Sequence, residues 1–456
     1  MTLTVNRTEL LWATGSLATG SVYNAMALFS LFFLTQVVGI APALAGTLLL
    51  VTKVYDAVTD PIMGAISDRT RHAAGRRRPY LLLGSLLLGG SFALFFNAPA
   101  LDGAAMVAVA VLLLLLQSTG YTVFCVPYLA MAPDIATEYD DRTRLMSLRV
   151  AFLIMGVMLG SVGGPFLVGL EEAPRDGYAL LGIVLGALVV LCGLASYRGT
   201  AGVRSEAPPR SAGDTASRAV DSLRDMVAVF ASRPFRLLTL IKLLQLAVLA
   251  LALACTPYFF QYVLERPPGD ISAYLLTFSL TGLASIPFWR PLIARYGKRE
   301  VYMVSIAGYG LGLATWWLWV PGEPEVFFYA RAAVLGALSN GTLLCALCLL
   351  PDTMEYERLE SGRNREGVMS GVFTTVEKVA GALGPFGIGI LLQTMGLVTT
   401  RGSGTVEQPA SALTAIHLGV SLVPALVCFA ALPLLWRYDL GPGRLQALRA
   451  QAPATS

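Results

Sequence analysis

Apolar runs of about 20 residues recur along the chain, each set off by a short polar or basic stretch. Twelve of them lie near 10–35, 43–66, 80–98, 104–132, 146–170, 178–198, 236–263, 271–294, 301–320, 325–350, 367–396 and 411–437. An α-helix rises about 1.5 Å per residue, so about 20 apolar residues cross a hydrocarbon core about 30 Å thick. The pattern therefore predicts an all-α membrane protein with twelve transmembrane helices. The first run is too long for the apolar segment of a signal peptide and shows no clear cleavage site, so it reads as a span. Residues 199–235 are rich in Arg, Ser, Ala, Pro and Asp and hold no spanning run, so they read as a linker. The expected organisation is a six-helix bundle over 1–198, the linker 199–235, a second six-helix bundle over 236–437, and a tail over 438–456.

An internal repeat supports the division into halves. Gly75-Arg76-Arg77 matches Gly297-Lys298-Arg299, Pro133-Asp134 with Glu138-Tyr139 matches Pro351-Asp352 with Glu355-Tyr356, and Gly164-Pro165-Phe166 returns as Gly384-Pro385-Phe386. The three pairs keep their order and a common offset of roughly 220 residues, which chance seldom produces. Two weakly similar six-helix halves are the mark of the major facilitator architecture, whose substrate site lies near the bilayer midplane. Gly156, Gly160 and Gly164 form a small-residue face that lets another helix approach closely, and Gly381, Gly384 and Gly387 are expected to do the same.

Composition agrees with lipid as the solvent. Of 456 residues, 55% are hydrophobic and 14% charged, against about 25% charged in soluble domains. A net charge of +4 offers nothing for nucleic-acid binding. The basic residues sort by loop instead. One set holds Arg69, Arg71, Arg76, Arg77, Arg78, Arg142, Arg144, Arg204, Arg210, Arg218, Arg224, Arg233, Arg295, Lys298, Arg299, Arg358, Arg363 and Arg365. The other set offers Arg175, Arg266, Arg401 and little else. By the positive-inside rule, both termini and the linker are expected in the cytoplasm. Cys345 and Cys348 form a C-x-x-C in mid-helix without a second pair or a nearby His, and read as packing residues.

Ionisable residues within spans are costly and mark function by default. The second span carries Lys53, Asp56 and Asp60, followed by Pro61. Asp56 and Asp60 are four residues apart and share a helix face, with Lys53 a turn earlier. Two such carboxylates repel unless a cation or proton lies between them, and with Thr59 they suit a hard cation. The alternative is a structural Lys53–Asp56 pair, with Asp60 capping the helix end near Pro61. Lys378 on the eleventh span and Arg149 on the fifth are candidate contacts for a substrate oxygen or anion, or else structural ion pairs. Lys242 and Arg331 lie near span ends and are expected to snorkel. Asp68, Arg69, Arg76 and Arg77, with Lys298 and Arg299, form short charged loops that can latch one conformation. Tyr23, Asn24, Tyr121, Tyr128 and Trp316 are cavity candidates that periodicity does not separate from core, and His417 reads as a satisfied packing residue.

These residues carry a resemblance. Tyr55-Asp56-Ala57-Val58-Thr59-Asp60-Pro61-Ile62-Met63-Gly64, followed by Gly75-Arg76-Arg77-Arg78-Pro79, resembles the glycoside–pentoside–hexuronide:cation symporters of the major facilitator superfamily. Val126-Pro127-Tyr128 and the run from Asp352 through Glu355-Tyr356 to Gly362 also fit, and the resemblance spans nearly the whole chain. It implies Na⁺, Li⁺ or H⁺ held by Asp56 and Asp60, with Lys53 in place of the basic residue a turn before them. It also implies that Arg149 and Lys378 stand where galactoside carriers of the family contact sugar. Those carriers have acids in helices 1 and 4; here the corresponding positions are Cys125 and a site near Gly15 or Ser16. A pocket without those carboxylates loses much of its grip on galactosyl hydroxyls.

The resulting expectation is an inner-membrane, cation-coupled symporter, acting as a monomer, that imports a glycoside, sugar or uronate. Its ligands are the small solute, the coupling cation and membrane lipid, with no other cofactor and no enzymatic activity. An amphipathic substrate is the alternative, through lysophospholipid-like symport or proton-driven export. A non-transporting sensor on a carrier scaffold is the remote one, since the midplane charges are intact.

Overall fold

The computed structural model describes residues 6–136, 138–203, 228–361, 365–401 and 406–440. Most of the linker, with Arg204, Arg210, Arg218 and Arg224, lies outside the described residues, as do Gly362, Arg363 and the tail beyond 440.

Among the described residues, ten helices are long and apolar enough to span a membrane: α1 Arg7–Val37, α3 Arg78–Phe96, α4 Gly103–Ile135, α5 Asp141–Val168, α6 Pro174–Gly199, α7 Arg233–Val263, α9 Lys298–Leu318, α10 Glu325–Ser361, α11 Glu366–Thr394 and α12 Ala410–Arg437. An eleventh, α8, is the pair Pro268–Ala284 and Ile286–Tyr296, bent by 46°. The twelfth, α2 over Pro42–Arg69, is 28 residues long and differs in its buried charges. Its outward face is apolar: Val54, Val58, Ile62 and Ile66 are all exposed, while Asp56 on the opposite face is buried. Lipid on one side and protein on the other account for that split. Asp60 does not cap α2, because Pro61 lies inside the helix and eight more residues follow it.

The sequence repeat is a structural repeat. Gly75 and Gly297 share a left-handed backbone, with φ of 97° and 93°, a conformation glycine reaches without steric cost. Asp134 then pairs with Arg76 and Arg77, as Asp352 pairs with Lys298. A second correspondence was not evident from the sequence. Both α1 and α7 close on a five-residue π turn, Phe33–Val37 and Phe259–Val263, and each is followed by a residue with positive φ. That residue is Gly39 in the first repeat and Glu265 in the second.

The chain resolves into two compact units. One comprises Met1–Arg210 with Leu253–Ala273 and Pro385–Ala415, the other Ser211–Ala252, Tyr274–Gly384 and Ile416–Ser456. In the first, the glycine face of α5 meets α1 as expected: a Cβ on Gly156 or Gly160 would run into the backbone carbonyls of Leu17 and Ser21. We expect Gly156→Val to lower the thermal unfolding midpoint of purified protein sharply, since overpacking costs about 1–3 kcal/mol and here the obstacle is rigid backbone. The α11 stripe behaves differently. Gly384 abuts Ala250 and Gly389 abuts Pro42, but Gly387 has nothing within 4 Å, so three-residue spacing does not keep it on the packed face.

In the second unit, Trp316 is core, packed against Tyr274 and Phe328, and the His417 ring bonds to its carbonyl oxygen at 2.9 Å. Two snorkelling expectations are corrected there. Lys242 is 4% exposed. Its Nζ donates to Glu377 at 2.6 Å and sits 3.3 Å from the Phe373 ring centroid. Arg331 makes a two-point pair with Glu323, at 2.5 and 2.8 Å, with its guanidinium over the Trp316 ring. A nearby carboxylate and an aromatic face draw both cations inward.

Candidate functional site

The buried charges of α2 face a polar strip on α4. Ser118 Oγ donates to Asp56 Oδ1, and one turn later Thr122 Oγ1 donates to Asp60 Oδ1 at 2.8 Å. Ser118 and Thr122 are four apart, like Asp56 and Asp60, so the two helices form a two-rung ladder of carboxylate and hydroxyl. Tyr55 and Thr119 add a third contact, their hydroxyl oxygens 3.0 Å apart. The second oxygen of Asp56 accepts from Lys53 Nζ at 3.0 Å, and that ammonium lies 5.9 Å from the Tyr23 ring. Thr59 turns back on its own helix, donating to the Tyr55 carbonyl at 3.0 Å.

Ser118, Thr119 and Thr122 were missed in the sequence reading. The available signal was the run Gln117-Ser118-Thr119-Gly120-Tyr121-Thr122 after the uninterrupted leucines 112–116. Among the described residues no third carboxylate, His or Cys joins the pair as a metal-binding cluster. The donor set is thus two carboxylates with hydroxyl and carbonyl oxygens. It fits a hard monovalent cation or a proton, and lacks the nitrogen and thiolate ligands of transition-metal sites. As the residues stand, the Lys53 ammonium supplies the positive charge Asp56 requires.

A second set of groups continues along α4. Tyr121 interacts electrostatically with Asp56, Tyr23 and Cys125, and Cys125 in turn with Tyr128. Tyr128 is 1% exposed, stacks on Trp12 with centroids 4.6 Å apart, and shares a 2.8 Å hydrogen bond with Ser16. Gly15 is necessary here, because a Cβ would fall within the Tyr128 ring's contact distance. Arg149 on α5 interacts electrostatically with Tyr128. Its buried Nε–H has no hydrogen-bond partner among the described residues, and neither does the Nε1–H of Trp12. Buried donors are nearly always satisfied, and here two flank the same tyrosine.

Lys53, Asp56, Asp60, Tyr23, Cys125, Tyr128 and Arg149 all therefore belong to the first unit and form a continuous set. Lys378 belongs to the second unit, next in sequence to the Glu377 that accepts from Lys242.

The charged loops pair closely. Arg77 donates to Asp68 at 2.6 Å, to Asp134 at 2.9 Å, and to the Ala130 carbonyl. Arg76 lies 3.5 Å from Asp134. In the second repeat Lys298 reaches Asp352 at 2.5 Å, and Arg299 bonds the Tyr438 carbonyl. Arg77→Ala leaves Asp134 without its main partner. Its expected cost is about 2–3 kcal/mol, between an exposed and a buried ion pair, read as a lower unfolding midpoint that Arg77→Lys restores in part.

A family model described as MFS/sugar transport protein matches residues 11–442. The YagG protein of Escherichia coli (strain K12), assigned as a glycoside/cation symporter, is 26% identical over 99% of this chain and 95% of its own length. A protein of Salmonella typhimurium (strain LT2) assigned as a sulfoquinovose importer is also 26% identical, over 91% of this chain and 86% of its own. Among solved structures, the nucleoside transporter NupG aligns with a TM-score of 0.62 at 12% identity, over 94% of this chain and 99% of that one. Such low identity carries the fold alone.

Proposed function

The chain belongs to the MFS/sugar transport protein family of membrane transporters, and on that premise we propose that it couples a cation to the movement of a hydroxylated, anionic sugar-like solute. The observation that carries the coupling is the α2–α4 ladder: two carboxylates on one face of a spanning helix, each bonded to a hydroxyl, one of them neutralised by a lysine. Na⁺, Li⁺ or H⁺ entering between Asp56 and Asp60 takes over the charge balance that Lys53 provides. The freed ammonium then turns toward Tyr23 and the solute groups beyond it. The cation and the solute each favour the same conformations, and that shared preference is the coupling free energy.

The anionic character of the solute rests on donors that lack acceptors. Arg149 Nε and Trp12 Nε1 flank Tyr128, while Cys125 supplies no carboxylate to repel an anion. A uronate or a sulfonated sugar brings acceptor oxygens to such a site. The relative assigned as a sulfoquinovose importer is in keeping with a sulfonated solute. Two six-helix bundles joined by residues 199–235, both termini in the cytoplasm, the inner membrane as location, and a monomeric carrier complete the reading. Asp68, Arg76, Arg77, Lys298 and Arg299 latch one conformation by the pairs described above, and Arg69, beside Asp68 at the end of α2, belongs to the same charged cluster.

Proteoliposomes test this reading. With an inward Na⁺ or H⁺ gradient, labelled glucuronate or sulfoquinovose should accumulate above its external concentration, and neutral galactosides should not. Accumulation of neither anion under either gradient would overturn the proposal.

A further inference from the structure

A cavity lies in the first unit, away from the charged ladder. Its volume is about 720 Å³, within the roughly 300–1,000 Å³ of small-molecule sites. Its walls come from α1, the end of α5, the start of α6, the end of α7 with the α7–α8 turn, and residues 406–413.

Two independent features describe what fits there. The first is charge. Glu171, Glu172, Glu265 and Glu407 line the cavity, against one cation, Arg266, which is already bonded to Asp270 at 3.2 Å. The second is an open polar group on an aromatic wall. Tyr178 lines the cavity and is 3% exposed, and its ring sits among Phe29, Phe32 and Phe96. Its hydroxyl has no hydrogen-bond partner among the described residues and interacts electrostatically with Tyr262, on the same wall. The Tyr262 hydroxyl, by contrast, is held by Gln36 at 2.6 Å. Glu265 adds a detail of placement. It takes the positive-φ position that Gly39 fills in the first repeat, so a glutamate occupies a turn where glycine would be unstrained.

We propose that this cavity binds an organic cation, an ammonium group on an aromatic or branched apolar body. The ammonium meets the carboxylates and π faces, and an N–H on it, where present, bonds the Tyr178 oxygen. An occupant touches α1 and α6 together with the α7–α8 turn and residues 406–413, and so fastens these segments of the unit to one another. Organic cations at this site should therefore inhibit transport without competing with solute.

Benzyltrimethylammonium and its uncharged carbon isostere, neopentylbenzene, are suitable probes, with binding to purified protein followed by calorimetry and thermal unfolding. The charged probe should bind saturably and raise the unfolding midpoint, and the isostere should do neither. The triple variant E171Q/E172Q/E265Q should weaken binding at least about tenfold, with a decline at high salt in the wild type as exposed carboxylates are screened. Glu265→Gly should weaken binding while leaving stability equal or higher, which separates a ligand role from a structural one. Equal binding of the two probes, or wild-type affinity in the triple variant, overturns the proposal, as does no binding of the charged probe at millimolar concentration. The readout is independent of transport, so it stands apart from the symport reading.

Discussion

Asp56→Asn is expected to abolish cation-stimulated uptake, lowering it about 100-fold or more, which corresponds to about 2.7 kcal/mol of lost cation interaction. Asp56 is 3% exposed, and each of its oxygens has a partner, Ser118 on one and Lys53 on the other. Asn keeps the size and can still accept from Ser118, so the helix contact survives. The negative charge does not, and the Lys53 ammonium then repels an arriving cation instead of being exchanged for it. Asp60→Asn should act in the same direction, because its carboxylate forms the other rung through Thr122. Asp68→Asn is the control: it removes a carboxylate from the Arg77 pair at the far end of α2 and should leave the cation response in place. Initial rates at several Na⁺ concentrations distinguish the three. A variant at position 56 that still responds to Na⁺ would place the coupling site elsewhere.

The second large effect is at Arg149. Arg149→Gln removes the charge and the unpartnered Nε–H next to Tyr128. Loss of a charged donor to a buried anionic group costs about 2–5 kcal/mol, or roughly 30- to 5,000-fold in affinity for an anionic solute. Arg149→Lys keeps the charge and loses the planar fork, so it should fall between the two. In both variants the response to cation alone should persist, since the hydrogen bonds that hold Asp56 and Asp60 come from Lys53, Ser118 and Thr122 and are left in place. Solute affinity is read by displacement of a labelled uronate or sulfonate from purified protein. Undiminished affinity in Arg149→Gln would assign the orphan donor a packing role.

Much of this architecture was legible in the chain. Hydropathy located the spans because lipid imposes a length and a composition on each helix. Even α2, the least apolar, was marked by its own charges. The repeat was legible because its glycines and acids serve a common turn, as Gly75 with Asp134 and Gly297 with Asp352 now show. What escaped the sequence depends on azimuth and neighbours. Ser118 and Thr122 become ligands of Asp56 and Asp60 only when α4 is rotated toward α2, and a single strand of text does not record that rotation. Lys242 sits near a span end by count, yet the Glu377 carboxylate and Phe373 ring draw it into the core. The π turns closing α1 and α7 insert an extra residue per turn, which hydropathy does not register. Gly387 shows the opposite error, a small residue that nothing approaches.

The central claim is that Asp56 and Asp60 hold the coupling cation. The direct measurement is thermal unfolding of purified protein as KCl is replaced by NaCl at constant ionic strength, for the wild type, Asp56→Asn and Asp60→Asn, repeated across pH without Na⁺. A ligand of the folded state raises stability by mass action. The account predicts saturable stabilisation of the wild type by Na⁺, or failing that by protons, and its loss in both variants. A wild type indifferent to Na⁺ and to pH, or a cation response that survives both substitutions, would contradict it and leave the Lys53–Asp56 pair as structure alone.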